Sequence, residues 1–331
     1  MSADTRSGRV CPLRYRYSVE SLDRPPQIRA HTAYVVGGLY GNREAFDTIL
    51  AMAAQERRRG VDVTLIFNGD FHWLDIGPED FVHISETVLR HAATSGNVEA
   101  ELGAEDEGAG CGCAYPDYVD QAVVARSNAI MRRLQAVAAP FPELRRRLAN
   151  LPMTLTLRIG GERIAILHGD PASLAGWSFA VEAMPPGGTV PAQRIHDYFR
   201  RARARVFACT HTGLPFAQRF VVEGQPHLVV NNGSAGMPNF AATRCGVITR
   251  ISADERIPEA SLYGCQLDGL RVDALPVRYD HEAWLRRFRR DWPERSPAHQ
   301  SYHRRLVDGP DFSLRQAARD GVTLYAKRGR A

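Results

Sequence analysis

Five residues of metal-ligand type follow short apolar runs in this chain. They are Asp70, Asn97, His168, Cys209 and His211. Carboxylate, amide, imidazole and thiolate groups are donors that divalent metals bind in proteins. Each residue also has a structural interpretation by itself, as a turn residue, a satisfied core histidine or a small buried thiol. Taken together, the series predicts a metal site.

The runs before these residues predict the strands that position them. Residues 63–67 are β-prone and lack regular polar alternation, which is typical of a strand buried on both faces. This strand ends in a turn at Asp70, and similar runs end at His168, Cys209 and Asn231. In open α/β sheets, ligands bind beyond the carboxyl ends of the strands. We therefore expect these strand ends to converge.

The intervening segments predict an α/β fold. A strand at 33–36 leads through a glycine-rich turn to a helix from about Asn42, which suits an N-cap, to Arg59. Further helices are expected over 79–93 and 117–137. A hairpin is expected from Thr154 to Leu167, turning at two glycines.

Composition divides the chain into three parts. Residues 1–30 are polar and contain several prolines, so they are expected to form an arm. Residues 31–255 contain every predicted strand end and form the main domain. Within it, the acidic, glycine-rich and helical segment at about 100–150 is expected to be a cap-like insertion. Residues 256–331 form a C-terminal extension, with one amphipathic helix around Trp284 and an otherwise irregular course.

Charge and hydropathy narrow the range of partners. The 331 residues carry a net charge of +5, with a pI of about 9.0. All but one of the 42 basic residues are arginine, and their clusters fall in predicted helices. Cations there suit the helix dipole or a solvated face, so nucleic acid is not the expected partner.

No apolar run is long enough for a leader or a membrane span, so we expect a cytoplasmic protein without a membrane partner. Nothing in the sequence sets the oligomeric state.

Six segments resemble, in order, the motifs of the calcineurin-like metallophosphoesterases. They are Gly41-Asn42-Arg43-Glu44-Ala45, Gly69-Asp70, Gly96-Asn97-Val98-Glu99, His168-Gly169-Asp170, Cys209-Thr210-His211 and Asn232-Gly233-Ser234-Ala235-Gly236. The resemblance spans about residues 33–250. It implies a β-sandwich flanked by helices (αββα) with two metal ions at the strand ends. It also implies hydrolysis of a phosphoester or phosphoanhydride by two-metal chemistry.

The resemblance implies a role for each matching residue. Asp70 corresponds to the carboxylate that bridges both metals. Asn97 and His168 correspond to ligands of the second metal, and His211 corresponds to a ligand of the first. Cys209 stands where the family has another histidine and is itself a competent zinc ligand.

The chain departs from the pattern at the first metal. The family's Asp-x-His is here Gly38-Leu39-Tyr40, so two ligands of that metal are absent, and a histidine that often follows the Gly-Asn is Val98. One divalent ion is therefore expected rather than two: zinc or manganese, with iron as a further option. Tyr40 is expected to occupy the vacated space as a catalytic residue. There its phenol would hydrogen-bond Asp70 or the substrate phosphate.

Four other residues are candidates to replace the lost ligands. They are His72, Asp75, Cys111 and Cys113. Their alternative interpretation is a polar turn after a strand and a loop, and the sequence favours that alternative.

Three functions fit these patterns. The first is a hydrolase of a small phosphorylated substrate, with one metal or a rebuilt pair, and the retained Asp70 and His168 favour it. The second is a binding or regulatory protein that kept the fold and lost the chemistry, as Gly38 and Tyr40 suggest. The third is a redox or metal-sensing role for the cysteines. The sequence favours the first function and does not identify the substrate.

Overall fold

The computed structural model describes residues 7–103, 109–187 and 192–325. The predicted arm, insertion and extension each include residues outside these ranges, namely 1–6, 104–108 and 326–331. The strands are β1 (Ile28–Arg29), β2 (Thr32–Val36), β3 (Val63–Asn68), β4 (Ala92–Thr94), β5 (Thr154–Ile159), β6 (Glu162–Leu167), β7 (Val206–Cys209), β8 (Phe216–Val222), β9 (Gln225–Asn231), β10 (Gly246–Ser252), β11 (Tyr263–Leu267), β12 (Leu270–Val277) and β13 (Thr323–Leu324).

Helices connect and cover these strands. They are α1 (Arg43–Arg58), α2 (Pro78–Val88), α3 (Asn97–Gly103), α4 (Gln121–Ala138), α5 (Pro142–Ala149), α6 (Ala192–Ala202), α7 (His281–Asp291), α8 (Pro297–Asp308) and α9 (Leu314–Ala317). Two short 3₁₀ helices, Leu13–Tyr15 and Val19–Leu22, lie in the N-terminal segment.

The strands form two mixed sheets. The six-stranded sheet has the order β1-β5-β6-β7-β9-β8, and the seven-stranded sheet has the order β13-β11-β12-β10-β2-β3-β4. Strands β2, β3 and β4 run parallel in the larger sheet, as do β6, β7 and β9 in the smaller one. Parallel neighbours end at the same edge of a sheet. An isolated bridge between Gly38 and Ser234 joins the ends of β2 and β9 across the two sheets.

The core has three layers of apolar side chains. Val35 and Ile66 of the larger sheet pack against Ile166 and other residues of the smaller sheet. Helices α1, α2, α4, α7 and α8 cover the outer face of the larger sheet. Helix α6 covers the outer face of the smaller sheet, where Phe199 packs on Phe207. The predicted αββα sandwich is confirmed.

Local signals account for the elements around the site. The side chain of Asn42 accepts a hydrogen bond from the Ala45 N–H and caps α1, as predicted. Strands β5 and β6 form the predicted hairpin, and Gly160 and Gly161 both take the positive φ that its tight turn requires.

The segment predicted as an insertion folds as helices. Helices α3, α4 and α5 pack on one another, and α4 also contacts α8. Ile130 and Leu134 form the buried stripe that the spacing predicted. Among the described residues, no helix combines the length and the apolar character needed to cross a bilayer.

The prediction that the C-terminal extension is irregular apart from one helix is wrong. Strands β11 and β12 belong to the larger sheet, and β12 pairs with β10 along its length. Strand β12 contains Arg271, Asp273 and Pro276, which hide its apolar pattern in the sequence. The arginine and the aspartate are buried as a pair, joined at 2.8 Å, so their charges are compensated inside the sheet.

Candidate metal centre

Three of the predicted ligands meet at the strand ends. Asp70 follows β3, His168 follows β6 and His211 follows β7. Their ligand atoms all lie within 4.8 Å of one another. The Nε2 atom of His168 lies 3.4 Å from Asp70 Oδ2 and 3.3 Å from His211 Nδ1. These separations suit ligands of one metal ion.

Asn97 adds an amide oxygen to this cluster. Its Oδ1 lies 3.2 Å from His168 Nε2. Its side-chain nitrogen donates to the carbonyl of Cys111 at 2.9 Å and lies 3.5 Å from the Cys113 sulfur. The amide is therefore oriented with its oxygen toward the two histidines and Asp70.

Backbone carbonyls fix how the two imidazole rings face the cluster. His168 Nδ1 donates to the Asn68 carbonyl at 2.9 Å, and His211 Nε2 donates to the Cys113 carbonyl at 3.1 Å. A carbonyl oxygen can only accept a hydrogen bond, so the ring nitrogen that faces it carries the proton. In each neutral ring the other nitrogen is therefore unprotonated and directs its lone pair at the cluster. Two such nitrogens, the Asp70 carboxylate and the Asn97 oxygen then converge with no donor among them. A cation or a proton is needed between these four acceptors.

Electrostatics favour the metal-binding forms of Asp70 and His211, but not of His168. Burial alone would raise the pKa of Asp70, but the charge of His168 and its hydrogen bond lower it overall. Burial would lower the pKa of His168, but Asp70 reverses that effect and raises it. Burial, followed by the charge of His168, lowers the pKa of His211 to about 4. At neutral pH, Asp70 is therefore ionised and His211 is neutral, as metal binding requires.

Glu99 is a site residue to which the sequence analysis gave no role. Its fully buried carboxylate accepts hydrogen bonds from the backbone N–H groups of Asp70 (2.8 Å), Phe71 (2.9 Å) and Gly96 (2.9 Å). Asp70 has a φ of 54°, in the left-handed region that few residues other than glycine adopt. Glu99 thus holds the backbone turn that carries Asp70. The sequence feature that could have identified Glu99 as a site residue is its place in the Gly96-Asn97-Val98-Glu99 motif.

Cys209 does not join the cluster predicted for it. Its side chain packs with Phe207 beneath α6, on the outer face of the smaller sheet, whereas Ala208 faces the space between the sheets. Side chains alternate along a strand, so Cys209 shares the outward direction of Phe207. Burial raises the pKa of its thiol, which is therefore protonated at neutral pH.

The four candidate replacement ligands have other contacts. His72 pairs through Nδ1 with Asp75 at 2.6 Å and through Nε2 with the hydroxyl of Ser85 at 2.9 Å, so both ring nitrogens are occupied. Cys111 supports Asn97 through its backbone carbonyl. Cys113 lines the cavity beside Asn97. Among the described residues, the cluster that could hold a metal ion consists of Asp70, His168 and His211 and does not include the Cys113 thiol.

A cavity with an empty volume of about 590 Å³, part of it open to solvent, adjoins the cluster. Asp70, Asn97 and His211 line it, and Arg305 reaches it from α8. Its aromatic lining residues are Tyr40, Trp73, Tyr115, Trp177 and Tyr302. The Trp177 ring meets the His211 ring edge-on at 5.5 Å between centroids. The cavity thus joins a polar cluster to an aromatic wall.

The side chain of Tyr40 lies beside Gly38. A Cβ atom on Gly38 would have the Tyr40 ring and hydroxyl as its nearest neighbours. Within the described residues, the phenol makes no hydrogen bond to Asp70. Burial, followed by the charge of Asp70, raises the pKa of Tyr40, so the hydroxyl keeps its proton.

Comparison with known proteins gives the fold a name. No family model matches the chain, and no curated protein matches it. The crystal structure of the hypothetical protein PH1004 from Pyrococcus horikoshii OT3 has a TM-score of 0.59 at 17% identity, covering 85% of this chain and 99% of that one. A metallophosphoesterase from Sphaerobacter thermophilus has a TM-score of 0.52 at 18% identity, covering 85% of this chain and 100% of that one. The chain therefore has the calcineurin-like metallophosphoesterase fold, as its motifs predicted.

Proposed function

We propose that this protein is a metal-dependent hydrolase of phosphoesters or phosphoanhydrides. The observation that carries the proposal is the convergence of four acceptor atoms from Asp70, Asn97, His168 and His211 beside an open cavity. A chain that used the fold only as a scaffold has no physical need to bring these acceptors together. The likeness in fold to a metallophosphoesterase supports the same interpretation.

The residues present fit one divalent ion. Asp70, His168 and His211 would hold it, and the Asn97 oxygen is available as a further donor. A bound divalent ion supplies a Lewis acid that polarises a phosphoryl oxygen and orients the phosphate for attack. Two imidazoles with a carboxylate and an amide suit zinc or manganese, with iron as a further option. Because Cys209 is outside the donor set, no thiolate selects zinc over the others.

The surrounding residues prepare these groups. Glu99 fixes the backbone of Asp70, and the carbonyls of Asn68 and Cys113 orient the two imidazole rings. Such outer hydrogen bonds set the tautomer and the direction of a ligand before the ion arrives. Tyr40 keeps its phenolic proton and can donate it in a hydrogen bond to a phosphate oxygen in the cavity.

The cavity supports a small phosphorylated substrate with an organic ring. Trp177 packs near Tyr115 with 5.8 Å between ring centroids, and both line the cavity with Trp73. Aromatic walls of this kind bury an apolar or ring-containing group while the polar cluster takes the charged end. The space near the cluster has room for a small molecule of this kind.

The second candidate is a binding protein without turnover. The observation that favours it is that the Tyr40 ring fills the space beside Gly38, where a ligand of a first metal would stand. The third candidate, cysteine redox chemistry, loses one of its three cysteines, because Cys209 lies on the outer face of the smaller sheet, away from Cys113 and the cavity.

A metal-dependent activity screen tests the proposal. The purified protein is loaded with zinc or manganese and assayed against phosphomonoesters, phosphodiesters and diphosphates, with and without EDTA. We expect hydrolysis of at least one class, its loss with EDTA and its loss in Asp70→Asn. The control is Asp47→Asn, which changes an exposed carboxylate on α1. Bound metal without any turnover would favour the binding protein, and no bound metal would contradict the hydrolase.

A further inference from the structure

We propose that Arg305 binds the substrate phosphate at the place of the absent first metal, a role that rests on the hydrolase function proposed above. The residue lies on α8, outside every motif that resembles the family. Its guanidinium would supply the second positive charge of a phosphate site that otherwise has a single ion. The ligand class is a phosphate group, bound between this guanidinium and the metal cluster.

The guanidinium is anchored beside the lost ligand positions. Arg305 Nε donates to the Pro238 carbonyl at 3.0 Å, and Nη2 donates to the Gly213 carbonyl at 2.8 Å and to the Ser234 hydroxyl at 3.1 Å. Ser234 forms the β-bridge with Gly38, the position at which the resemblance expects a carboxylate. Arg305 is therefore fixed at the end of β2, next to the vacated site.

One edge of the guanidinium remains available. Within the described part of the chain, Nη1 makes no hydrogen bond, and Arg305 lines the cavity together with Asp70 and His211. A Cβ atom on Gly213 would lie 3.7 Å from this Nη1 and 3.2 Å from the Tyr40 hydroxyl. The glycine thus leaves open the space where two donors, the guanidinium edge and the phenol, come together.

The charge of Arg305 is also not compensated by its partners. Its three hydrogen-bond acceptors are two backbone carbonyls and one hydroxyl, all of them neutral. A half-buried guanidinium held by neutral groups attracts an anion strongly, and arginine matches the geometry of phosphate oxygens. In phosphoryl transfer, fixed positive groups stabilise the charge that spreads over the non-bridging oxygens. Arg305 can serve this purpose without the missing aspartate and histidine.

Titration with inorganic phosphate tests the inference. Binding is followed by calorimetry and by intrinsic tryptophan fluorescence, to which Trp73 and Trp177 in the cavity contribute, in EDTA-treated and in zinc-loaded protein. We expect Arg305→Met to weaken phosphate binding about tenfold or more in both forms, the scale of a lost hydrogen bond to a charged group. Zinc content should not change. The matched control Arg304→Met alters the exposed neighbour on the same helix and should bind phosphate as the wild type does.

Arg305 also donates hydrogen bonds to two backbone carbonyls, so its replacement could weaken phosphate binding by disturbing the fold. A second variant separates this effect from the loss of charge. Arg305→Gln keeps amide donors on the side chain and removes the charge, so it should show the same loss of phosphate affinity with an unchanged melting temperature. If a folded Met or Gln variant binds phosphate within about twofold of the wild type, the inference is overturned. Failure of the wild type to bind phosphate at millimolar concentration also overturns it.

The outcomes separate this inference from the proposed hydrolase. If phosphate binding depends on Arg305 but no ester is hydrolysed, the phosphate site stands and the hydrolase function fails. If esters are hydrolysed equally well by the wild type and Arg305→Gln, the hydrolase stands and the role of Arg305 fails.

Discussion

The ring of Tyr40 lies over Gly38, so that a Cβ atom on the glycine would be 2.3 Å from Cζ of the tyrosine. No side chain fits at position 38 while Tyr40 keeps this place. The two departures from the metallophosphoesterase pattern at the first metal are therefore one coupled change. The glycine makes room for the ring, and the ring takes the space that a side chain at position 38 would need.

This coupling predicts a non-additive pair of substitutions. Gly38→Ala should lower the free energy of unfolding by about 1–3 kcal/mol, because the new methyl group overpacks against the Tyr40 ring. In a Tyr40→Ala background, the same change should cost less than half as much, since the clashing ring is gone. Denaturant unfolding of the four proteins measures both effects.

Gly77→Ala provides the control for this cycle. A Cβ atom there would meet only an oxygen of Asp80, at 4.0 Å, so the cost should stay within about 1 kcal/mol of N-cap preference. Equal penalties for Gly38→Ala in both backgrounds would show that Tyr40 does not occupy this space in solution.

The hydroxyl of Tyr40 should matter for turnover. Tyr40→Phe keeps the ring over Gly38 and removes only the hydrogen-bond donor that faces the cavity. We expect kcat/KM on a substrate from the screen to fall about tenfold or more, with an unchanged melting temperature. The exposed Tyr118→Phe serves as the control. Unchanged kcat/KM in Tyr40→Phe would remove Tyr40 from the catalytic machinery.

Glu99 should act as a positioning residue for the metal. Glu99→Gln turns one of its acceptor oxygens into a donor, which then opposes a backbone N–H of the turn that carries Asp70. We expect metal affinity to drop about 10–100-fold, the usual effect of losing an outer-shell partner. The free energy of unfolding should fall by about 1–3 kcal/mol.

Metal titration and denaturant unfolding measure these two effects. Glu86→Gln, at an exposed position on α2, should change neither quantity. Wild-type metal affinity in Glu99→Gln would mean that the turn at Asp70 holds its geometry without this carboxylate.

Metal affinity should fall as the pH decreases. His168 must lose the proton on Nε2 before it binds a metal, and Asp70 raises its pKa above the ordinary value of 6.5. Protons therefore compete with the metal for His168, and the affinity declines as the pH falls through this raised pKa. His211, with a pKa of about 4, adds competition only in more acidic solution.

Calorimetry in buffers of different ionisation enthalpy measures this competition. At about pH 6, binding should release about one proton per ion in the wild type, and this release should be lost in His168→Asn. Affinity that rises on acidification would contradict the assignment of His168 as a ligand.

The strand ends were predictable because their signals are local. The apolar run before Asp70, the cap at Asn42 and the turn at Gly160 each depend on neighbouring residues, and each matches the structure. The direction in which the Cys209 side chain points was harder to predict from the sequence. A short apolar run with both faces buried does not reveal which face a given side chain takes, so a ligand-type residue at its end can point away from the site.

Contacts between distant segments were hidden from the sequence. Arg305 reaches the cavity from α8 by bonding Gly213 and Ser234, and no periodicity or spacing connects these residues. Strand β12 was missed because its paired Arg271 and Asp273 look like surface residues when their mutual contact is unknown. Glu99 was visible in a motif, yet its role depends on the backbone conformation of Asp70.

The metal content of the purified protein tests the central claim most directly. Wild type, Asp70→Asn and Cys209→Ser are prepared from zinc- and manganese-supplemented cultures and analysed by mass spectrometry of the elements. We expect about one divalent ion per chain in the wild type and in Cys209→Ser, and at least tenfold less in Asp70→Asn. A metal-free wild type, or equal metal in Asp70→Asn, would contradict a metal centre built on Asp70, His168 and His211.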